Sequence, residues 1–159
     1  FIVSGITLKK DEAKVNLTGL ADKPGVAAAI FGKLAASNIN VNMIAQSSLT
    51  NSAENNISFT VPTSDMKKLQ TALDEIKNEL HIKEIEIDDK ISILSIVGVG
   101  MKSNPGVAAG LFQVLGNNSI NIHMIGTSEI KISVVIDKKR ADEAAKLVHK
   151  FFALDKIKQ

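Results

Sequence analysis

Several residue types are missing or rare in this chain of 159 residues, and each absence excludes a class of function. Cysteine is absent, which excludes disulfides, thiolate catalysis, cysteine-ligated zinc sites and CxxC redox motifs, and which fits a cytoplasmic protein. Tryptophan and tyrosine are absent too, and Arg140 is the one arginine among 19 basic residues. Because arginine is the preferred residue for bidentate phosphate clamps, we expect no arginine-based phosphoryl-transfer site.

Long apolar runs are also missing. The longest nearly apolar stretch, Ile91 to Met101, has 11 residues, whereas a bilayer-spanning helix needs about 20. The chain opens on Phe1 without a charged-then-apolar leader, so we expect a fragment or processed product of a longer protein that is not secreted. A net charge of +2 does not favour nucleic acid, and we expect neither a nucleic-acid nor a membrane partner.

What is present is an internal repeat at an offset of 81 residues. Residues 19–47 and 100–128 share 13 identities in 29 positions without a gap, where chance gives about two. The shared part includes a Gly-x-x-x-x-Pro-Gly loop, at Gly19 to Gly25 and at Gly100 to Gly106. After Ser47 the first copy has about six extra residues, within 49–56, which predict a longer hairpin loop. The chain is therefore a duplicated module.

Each copy has the pattern of a β-α-β-β-α-β unit, so we predict an α+β fold. It consists of two ferredoxin-like modules, each an antiparallel sheet with two helices on one face. In the first module, the alternating run Ala13–Thr18 predicts a strand, and Pro24 is expected to open a helix. The remaining elements of that module are predicted as strands at 41–47, 57–61 and 82–87 and a helix at 65–80.

The second copy lacks a final strand at its own end. Its predicted elements are strands at 91–97, 121–127 and 131–136 and helices at 105–115 and 138–151, and residues 153–159 are a poor strand candidate. The economical solution uses the unassigned strand Ile2–Leu8. The second module then comprises residues 1–8 plus 91–159, with the first, 13–88, inserted after its N-terminal strand. The alternative is a hairpin between Ile2–Leu8 and Ala13–Thr18.

The repeated loop has the chemistry of an anion site. The first N–H groups of a helix lack intrahelical partners and carry partial positive charge. A carboxylate could therefore bind the N–H groups of residues 25–27, or those of residues 106–108 in the second copy. Gly25 and Gly106 are expected to leave room for a ligand near the backbone. Asp22 is a candidate partner for an ammonium group, so the loop matches a free α-amino acid.

Alternatives remain open at this point. Asp22 could simply cap the helix, and the Pro-Gly pair could simply shape a turn. The second copy has Ser103 in place of Asp22, so the two sites, if both exist, should differ. The strands could instead carry an acylphosphatase-like enzyme, an RNA-binding sheet or a metal chaperone. The first needs an arginine in the loop, the second needs stacked aromatics on the central strands, and the third needs cysteine. All three are disfavoured.

The chain resembles the tandem ACT region of bacterial aspartokinase over its full length, and three stretches carry this resemblance. They are residues 19–25, residues 100–106 and the string Ile-Asn-Ile-His-Met-Ile-Gly-Thr-Ser-Glu-Ile-Lys-Ile-Ser at 120–133. The resemblance implies an allosteric regulatory region that senses threonine, lysine or both, for feedback control of aspartate phosphorylation. It also implies a homodimer formed by ACT–ACT pairing and a kinase domain or separate catalytic subunit as partner. ATP and magnesium would belong to that kinase and not to this chain, for which we expect no cofactor, no metal and no catalytic residue.

The resemblance further implies effector sites where two ACT modules pack side by side. The first site consists of loop and helix-start residues, a strand residue that faces the ligand side chain, and two residues from the partner module: Asp22, Lys23, Pro24, Gly25, Val26, Ala27, Gln46, Asn121 and Ile122. The second consists of the corresponding positions: Ser103, Pro105, Gly106, Ser128, Asn40 and Val41. Without the resemblance, Asn40 and Asn121 fit turn chemistry equally well, and Gln46 fits an exposed strand. His123 is expected to be a core or edge histidine.

Overall fold

The computed structural model describes residues 3–48, 53–101 and 104–152. The contacts divide the chain into two compact units: residues 11–89, here called the first unit, and residues 1–10 with 90–159, here called the second unit. The strands β1 (Val3–Ala21) and β4 (Glu84–Gly98) each contribute one part to each unit. Residues 49–52 of the expected long hairpin loop and the poor strand candidate at 153–159 lie outside the described residues.

The first unit has strands in the order β2-β3-β1-β4. Its elements after β1 are α1 (Val26–Ala36), β2 (Ile44–Ser48), β3 (Glu54–Pro62) and α2 (Met66–Leu80), followed by the start of β4. β3 runs antiparallel to both of its neighbours, and a register shift interrupts its pairing with β1 between Leu17 and Leu20. The unit therefore has the predicted β-α-β-β-α-β order.

The second unit has the same arrangement of strands in space, β1-β4-β6-β5, but along the chain its elements follow the order β-β-α-β-β-α, because its outer strand comes from the N-terminus. After its part of β4 come α3 (Pro105–Asn117), β5 (Met124–Thr127), β6 (Lys131–Asp137) and α4 (Ala141–Phe151). β6 pairs antiparallel with β4 and with β5. The start of β1 is the outer neighbour of β4, so the N-terminal strand takes the outer place in this unit that β4 takes in the first.

Each unit has its own apolar core, because one face of each helix packs on the sheet. In the first unit, Val26, Ile30 and Leu34 of α1 are buried together with the inward side chains of β1, as their helical spacing predicts. Phe31 packs edge-to-face on Phe59 of β3, with 5.6 Å between ring centroids. In the second unit the core is built on aliphatic residues from β4, β6, α3 and α4.

The antiparallel two-module α+β fold is confirmed, but several element boundaries differ from the prediction. Residues 3–8 and 13–18 lie on the one continuous strand β1, so the hairpin alternative is wrong. β2 and β5 begin three residues later than predicted, at Ile44 and Met124. The residues just before them still hydrogen-bond to the neighbouring strand, but without regular strand pairing. α4 begins at Ala141 instead of residue 138, because residues 138–140 form a 3₁₀ turn. Within the described residues, no helix is long and apolar enough to cross a membrane.

Candidate functional site

The loop of the first unit joins the end of β1 to the start of α1. Its central residue is Asp22, whose backbone N–H donates to the Ala53 carbonyl at 2.8 Å. The Asp22 Oδ1 atom accepts a hydrogen bond from Asn55 Nδ2 at 3.0 Å. Asp22 is nonetheless solvent-exposed, like its neighbours Lys23 and Pro24. The carboxylate is thus held against the start of β3 while its outer side faces solvent.

The helix that follows this loop begins later than the sequence predicts. α1 starts at Val26, and Gly25 precedes it in the left-handed conformation, with φ of 92°. The prediction that Pro24 opens this helix is therefore wrong, since a left-handed residue interrupts the helical backbone between them. No side-chain hydrogen bond caps α1, so the alternative in which Asp22 simply caps the helix is wrong.

The N-terminus of α1 still offers unpaired donors toward the loop. The Ala29 N–H donates to the Gly25 carbonyl at 3.0 Å as the first intrahelical bond, and the N–H groups before it have no place in the helical ladder. Val26 contributes its backbone alone, because its side chain is in the core, whereas Ala27 is exposed. A carboxylate here would meet N–H donors, and an ammonium group would meet Asp22.

Gly25 is required for its backbone conformation. A Cβ atom placed on it would meet nothing within 4 Å, and the same holds for Gly106. The protein therefore leaves open space beside both glycines, and the expectation that they make room for a ligand stays a prediction. The left-handed φ of Gly25 is the feature that favours glycine. Gly106, by contrast, lies inside α3.

Asn55 is a residue of this site that the sequence did not indicate. It lies on β3, opposite Leu20 of β1 and Ser48 of β2, and is 7% exposed. Its side-chain NH₂ group contacts Asp22, while its amide oxygen is buried and has no hydrogen-bond partner. A sequence signal did exist: the repeat aligns Asn55 with Ile130, so the polar residue is particular to the first copy.

The other predicted residues of the first unit lie on and before β2. Gln46 is exposed on β2 and opposite Ile57 of β3. Every residue of β2 is exposed, including Ile44 at 56%. Asn40 is exposed between α1 and β2, whereas Val41 packs partly on the core.

The corresponding loop of the second unit differs in those of its residues that the structure describes. α3 begins at Pro105, which confirms the predicted helix start at this copy. Asn104 stands before it, and its side-chain NH₂ donates to the Gly100 carbonyl at 3.1 Å. The Val107 N–H donates to the Asn104 carbonyl at 3.1 Å, so it is not available to a ligand carboxylate, contrary to expectation. Ser103, the expected counterpart of Asp22, lies outside the described residues.

A cavity of about 410 Å³ lies next to this loop, entirely within the second unit. It brings together the predicted residues Pro105 and Ser128, but not Gly106. The cavity is lined by Met101, Asn104, Pro105, Ala108, Thr127, Ser128, Glu129 and Ile132. Thr127 was missed, although the repeat aligns it with Gln46.

Asn121 and Ile122 precede β5 in the second unit, at the positions of Asn40 and Val41. Asn121 is exposed, and Ile122 packs partly on the core of its unit. The next residue, His123, is partly buried, and its Nε2 lies 2.8 Å from Asp137 Oδ1. It is thus an edge residue with a carboxylate partner. The described residues contain no group of three histidine or acidic side chains that could hold a metal ion.

The comparisons with known proteins agree with this architecture. The family model described as ACT domain matches residues 15–77 and 94–152, one stretch for each copy of the repeat. The regulatory subunit of aspartate kinase from Thermus thermophilus is 37% identical, with a TM-score of 0.89, over 96% of this chain and 99% of that one.

The chain belongs to the tandem ACT regulatory regions of aspartokinases.

Two further relatives place the match within that enzyme family. A chain of the aspartokinase alpha and beta subunit structure is 43% identical, with a TM-score of 0.87, over 96% of this chain and 99% of that one. The aspartate kinase of Pseudomonas putida is 44% identical over 97% of this chain. The ACT chain spans 37% of that relative's length, so it corresponds to the regulatory part of the enzyme.

Proposed function

We propose that this ACT chain is an amino-acid sensor that regulates an aspartate kinase. It would bind threonine, lysine or both, and binding would favour an arrangement of ACT modules in which the kinase is inhibited. Such control requires the effector to bind the inhibited state more tightly, typically by about 1–3 kcal/mol. The ACT modules would be residues 13–88 and residues 1–8 with 91–159, close to the two contact-defined units.

The observation that carries the proposal is the loop between β1 and α1. It presents the exposed Asp22 carboxylate, fixed by Ala53 and Asn55, beside the free N–H groups at the start of α1. An α-amino acid has the matching charges, an ammonium group and a carboxylate, on one carbon atom. The helix N-terminus contributes up to about 2 kcal/mol toward such an anion in favourable geometry. Gln46 would then face the effector's side chain.

The exposed edge strands support a homodimer as the binding form. All of β2 is exposed, and Ile44 and its counterpart Ile125 on β5 are 56% and 48% exposed. An unpaired strand edge with an exposed β-branched residue is a template for pairing with another chain. We propose that modules of two copies pair along these edges, and that Asn121 and Ile122 of the second copy complete the pocket of Asp22.

The second site would use the cavity lined by Pro105 and Ser128, with Asn40 and Val41 from a partner module and Ser103 and Gly106 in its loop. Because this loop has no acidic residue at the position of Asp22, we expect the second site to hold an α-ammonium group less tightly. The kinase partner would be a catalytic domain or subunit. The structure with 43% identity is named for aspartokinase alpha and beta subunits, which supports a separate catalytic chain as that partner.

Titration calorimetry with L-threonine and with L-lysine tests the proposal. We expect saturable heat with at least one of them, and a loss of affinity of about tenfold or more in Asp22→Ala, since a hydrogen bond to a charged group contributes about 1.5–3 kcal/mol. The matched control is Asp74→Ala, which removes the same charge from an exposed position on α2 and should leave the affinity unchanged. The absence of saturable heat with both amino acids would contradict the proposal.

A further inference from the structure

The starting point is the buried amide of Asn55. Its NH₂ group donates to Asp22 Oδ1 at 3.0 Å, and its oxygen is buried without a partner. Rotating the amide by half a turn would direct that oxygen at the Asp22 carboxylate, which also only accepts hydrogen bonds when ionised. The observed orientation is therefore set by Asp22, and it leaves a buried acceptor unsatisfied, which native proteins tolerate rarely.

The second unit lacks both members of this pair. Strand register establishes the equivalence: Gln46 pairs with Ile57 in the first unit as Thr127 pairs with Ile132 in the second. Counting back two residues from Ile57 and Ile132 aligns Asn55 with Ile130, and the repeat aligns Asp22 with Ser103. Ile130 is 58% exposed, whereas Asn55 is 7% exposed. The carboxylate and the buried amide thus occur together in one copy and are both replaced in the other.

We infer that Asn55 is a positioning residue of the first effector site, an inference that rests on the proposed function. Its amide would hold one oxygen of the Asp22 carboxylate, so that the other is turned toward the ligand's ammonium group. The backbone hydrogen bond from the Asp22 N–H to the Ala53 carbonyl also fixes this residue. Asn55 does not contact the ligand in this account and acts only through Asp22.

A double-mutant cycle separates this role from a structural one. The binding of L-threonine and L-lysine is followed by NMR shifts, which register millimolar dissociation constants, in the intact chain carrying Asn55→Leu, Asp22→Ala or both. Asn55→Leu keeps the shape of the side chain and removes the donor. We expect it to weaken binding by about ten- to a hundredfold when Asp22 is present, and by less than twofold when Asp22 is alanine. Ile130→Ala is the matched control and should leave the affinity unchanged.

The outcomes are distinct. If the wild-type chain binds one of the amino acids and Asn55→Leu binds it with the same affinity, this inference is overturned and the proposed function stands. An equal loss with and without Asp22 also overturns it, since that result assigns Asn55 a structural role. A wild-type chain that binds neither amino acid overturns both. Thermal unfolding of each variant checks the fold, and if Asn55→Leu does not fold, Asn55→Ser, which is too short to reach Asp22, is read by the same criteria.

Discussion

The two copies of the seven-residue motif differ in backbone conformation at the start of the following helix. In the first, Gly19 lies where β1 loses register with β3, and Pro24 and Gly25 form a turn before α1. In the second, β4 ends at Gly98, so that Gly100 lies in the loop and the second proline is the first residue of α3. Identical glycines and prolines therefore did not determine identical loops.

The residues between the shared positions account for the difference. In the first unit Asp22 bonds to Ala53 and Asn55 on the neighbouring strand. In the second unit Asn104 bonds back to Gly100 within its own loop. The first loop is hydrogen-bonded to the sheet, and its Asp22 carboxylate stays exposed shortly before α1. In the second unit the Val107 N–H of α3 donates to the Asn104 carbonyl of the preceding loop. The two candidate sites therefore differ through the variable residues of the motif, Asp22 in the first copy and Asn104 in the second, and not through the repeated glycines and prolines.

The largest expected difference between the units concerns their cores. Phe59 and Val134 are equivalent by register, since each faces an isoleucine of the adjoining edge strand, and both are fully buried. Phe59→Ala should lower the free energy of unfolding of the first unit by about 3–5 kcal/mol. Val134→Ala should lower the free energy of unfolding of the second unit by about 2 kcal/mol, because this substitution removes only two buried methyl groups. Hydrogen exchange of the β3 and β6 amides reads the two units separately. Equal losses in the two units would contradict this expected difference between their cores.

The first glycines of the two motif copies, Gly19 and Gly100, should differ in their tolerance of a side chain. Both have positive φ, 77° at Gly19 and 72° at Gly100. A Cβ at Gly19 would lie 2.6 Å from Lys83 Cγ, whereas one at Gly100 would meet nothing within 4 Å. We expect Gly100→Ala to cost about 1 kcal/mol from the backbone alone. Gly19→Ala should cost about 2–3 kcal/mol, because Lys83 must also move. Urea unfolding of both variants measures the difference, and similar values would show that Lys83 moves freely.

A third pair of equivalent positions lies on the helices, where α1 has Ala29 and α3 has Gly110. A Cβ at Gly110 would lie 2.8 Å from Phe151 Cε1. Alanine is the better helix former by about 1 kcal/mol, but the clash outweighs this, so Gly110→Ala should destabilise by about 1 kcal/mol. In a Phe151→Ala background the same change should become stabilising. A thermal unfolding series tests this reversal of sign, and a stabilising Gly110→Ala in the otherwise native chain would contradict it.

The smallest expected difference concerns pH. In the second unit, the hydrogen bond from Arg140 Nε at 2.7 Å holds the pKa of the Glu143 carboxyl below its ordinary value. The stabilisation from this pair is therefore present above the ordinary glutamate pKa and is lost as the pH falls through the depressed value. In the first unit, hydrogen bonds to Glu75 and Glu79 raise the pKa of Lys33, so that its contribution is lost only at alkaline pH.

The three ion pairs, two at Lys33 and one at Arg140, lie at the surface, so the effects should be slight. Glu143→Gln should flatten the acid side of the second unit's stability profile, and Lys33→Met should flatten the alkaline side of the first unit's. Urea midpoints across the pH range, read from amides of each unit, measure both. If the two substitutions leave the pH dependence of the urea midpoints unchanged, the expected difference between the units does not exist.

The fold could be read from the sequence because its signals are periodic and repeated. The 3.6-residue spacing of Val26, Ile30 and Leu34 indicates the buried face of α1. Because the module is duplicated, the same pattern of elements could be recognised in both copies. The start of α1 could not be predicted, since Pro24 is compatible with a helix start or a turn, and the choice depends on the φ of Gly25.

Asn55 could not be predicted because its role depends on a contact with Asp22 across 33 positions of sequence. It stands in a polar segment that reads as an ordinary hairpin loop, and its burial follows from its place between two strands of the folded sheet. Its replacement by isoleucine in the other copy was visible, but only strand register gives that difference a physical meaning.

The most direct measurement is an amide NMR titration of the intact chain with L-threonine and with L-lysine. We expect saturable shifts, with at least one of the two ligands, that centre on the backbone amides of residues 22, 23 and 25–27 and extend to those of residues 46, 121 and 122. Shifts absent with both ligands, or centred away from the β1–α1 loop, would contradict the claim that this loop is the amino-acid sensor.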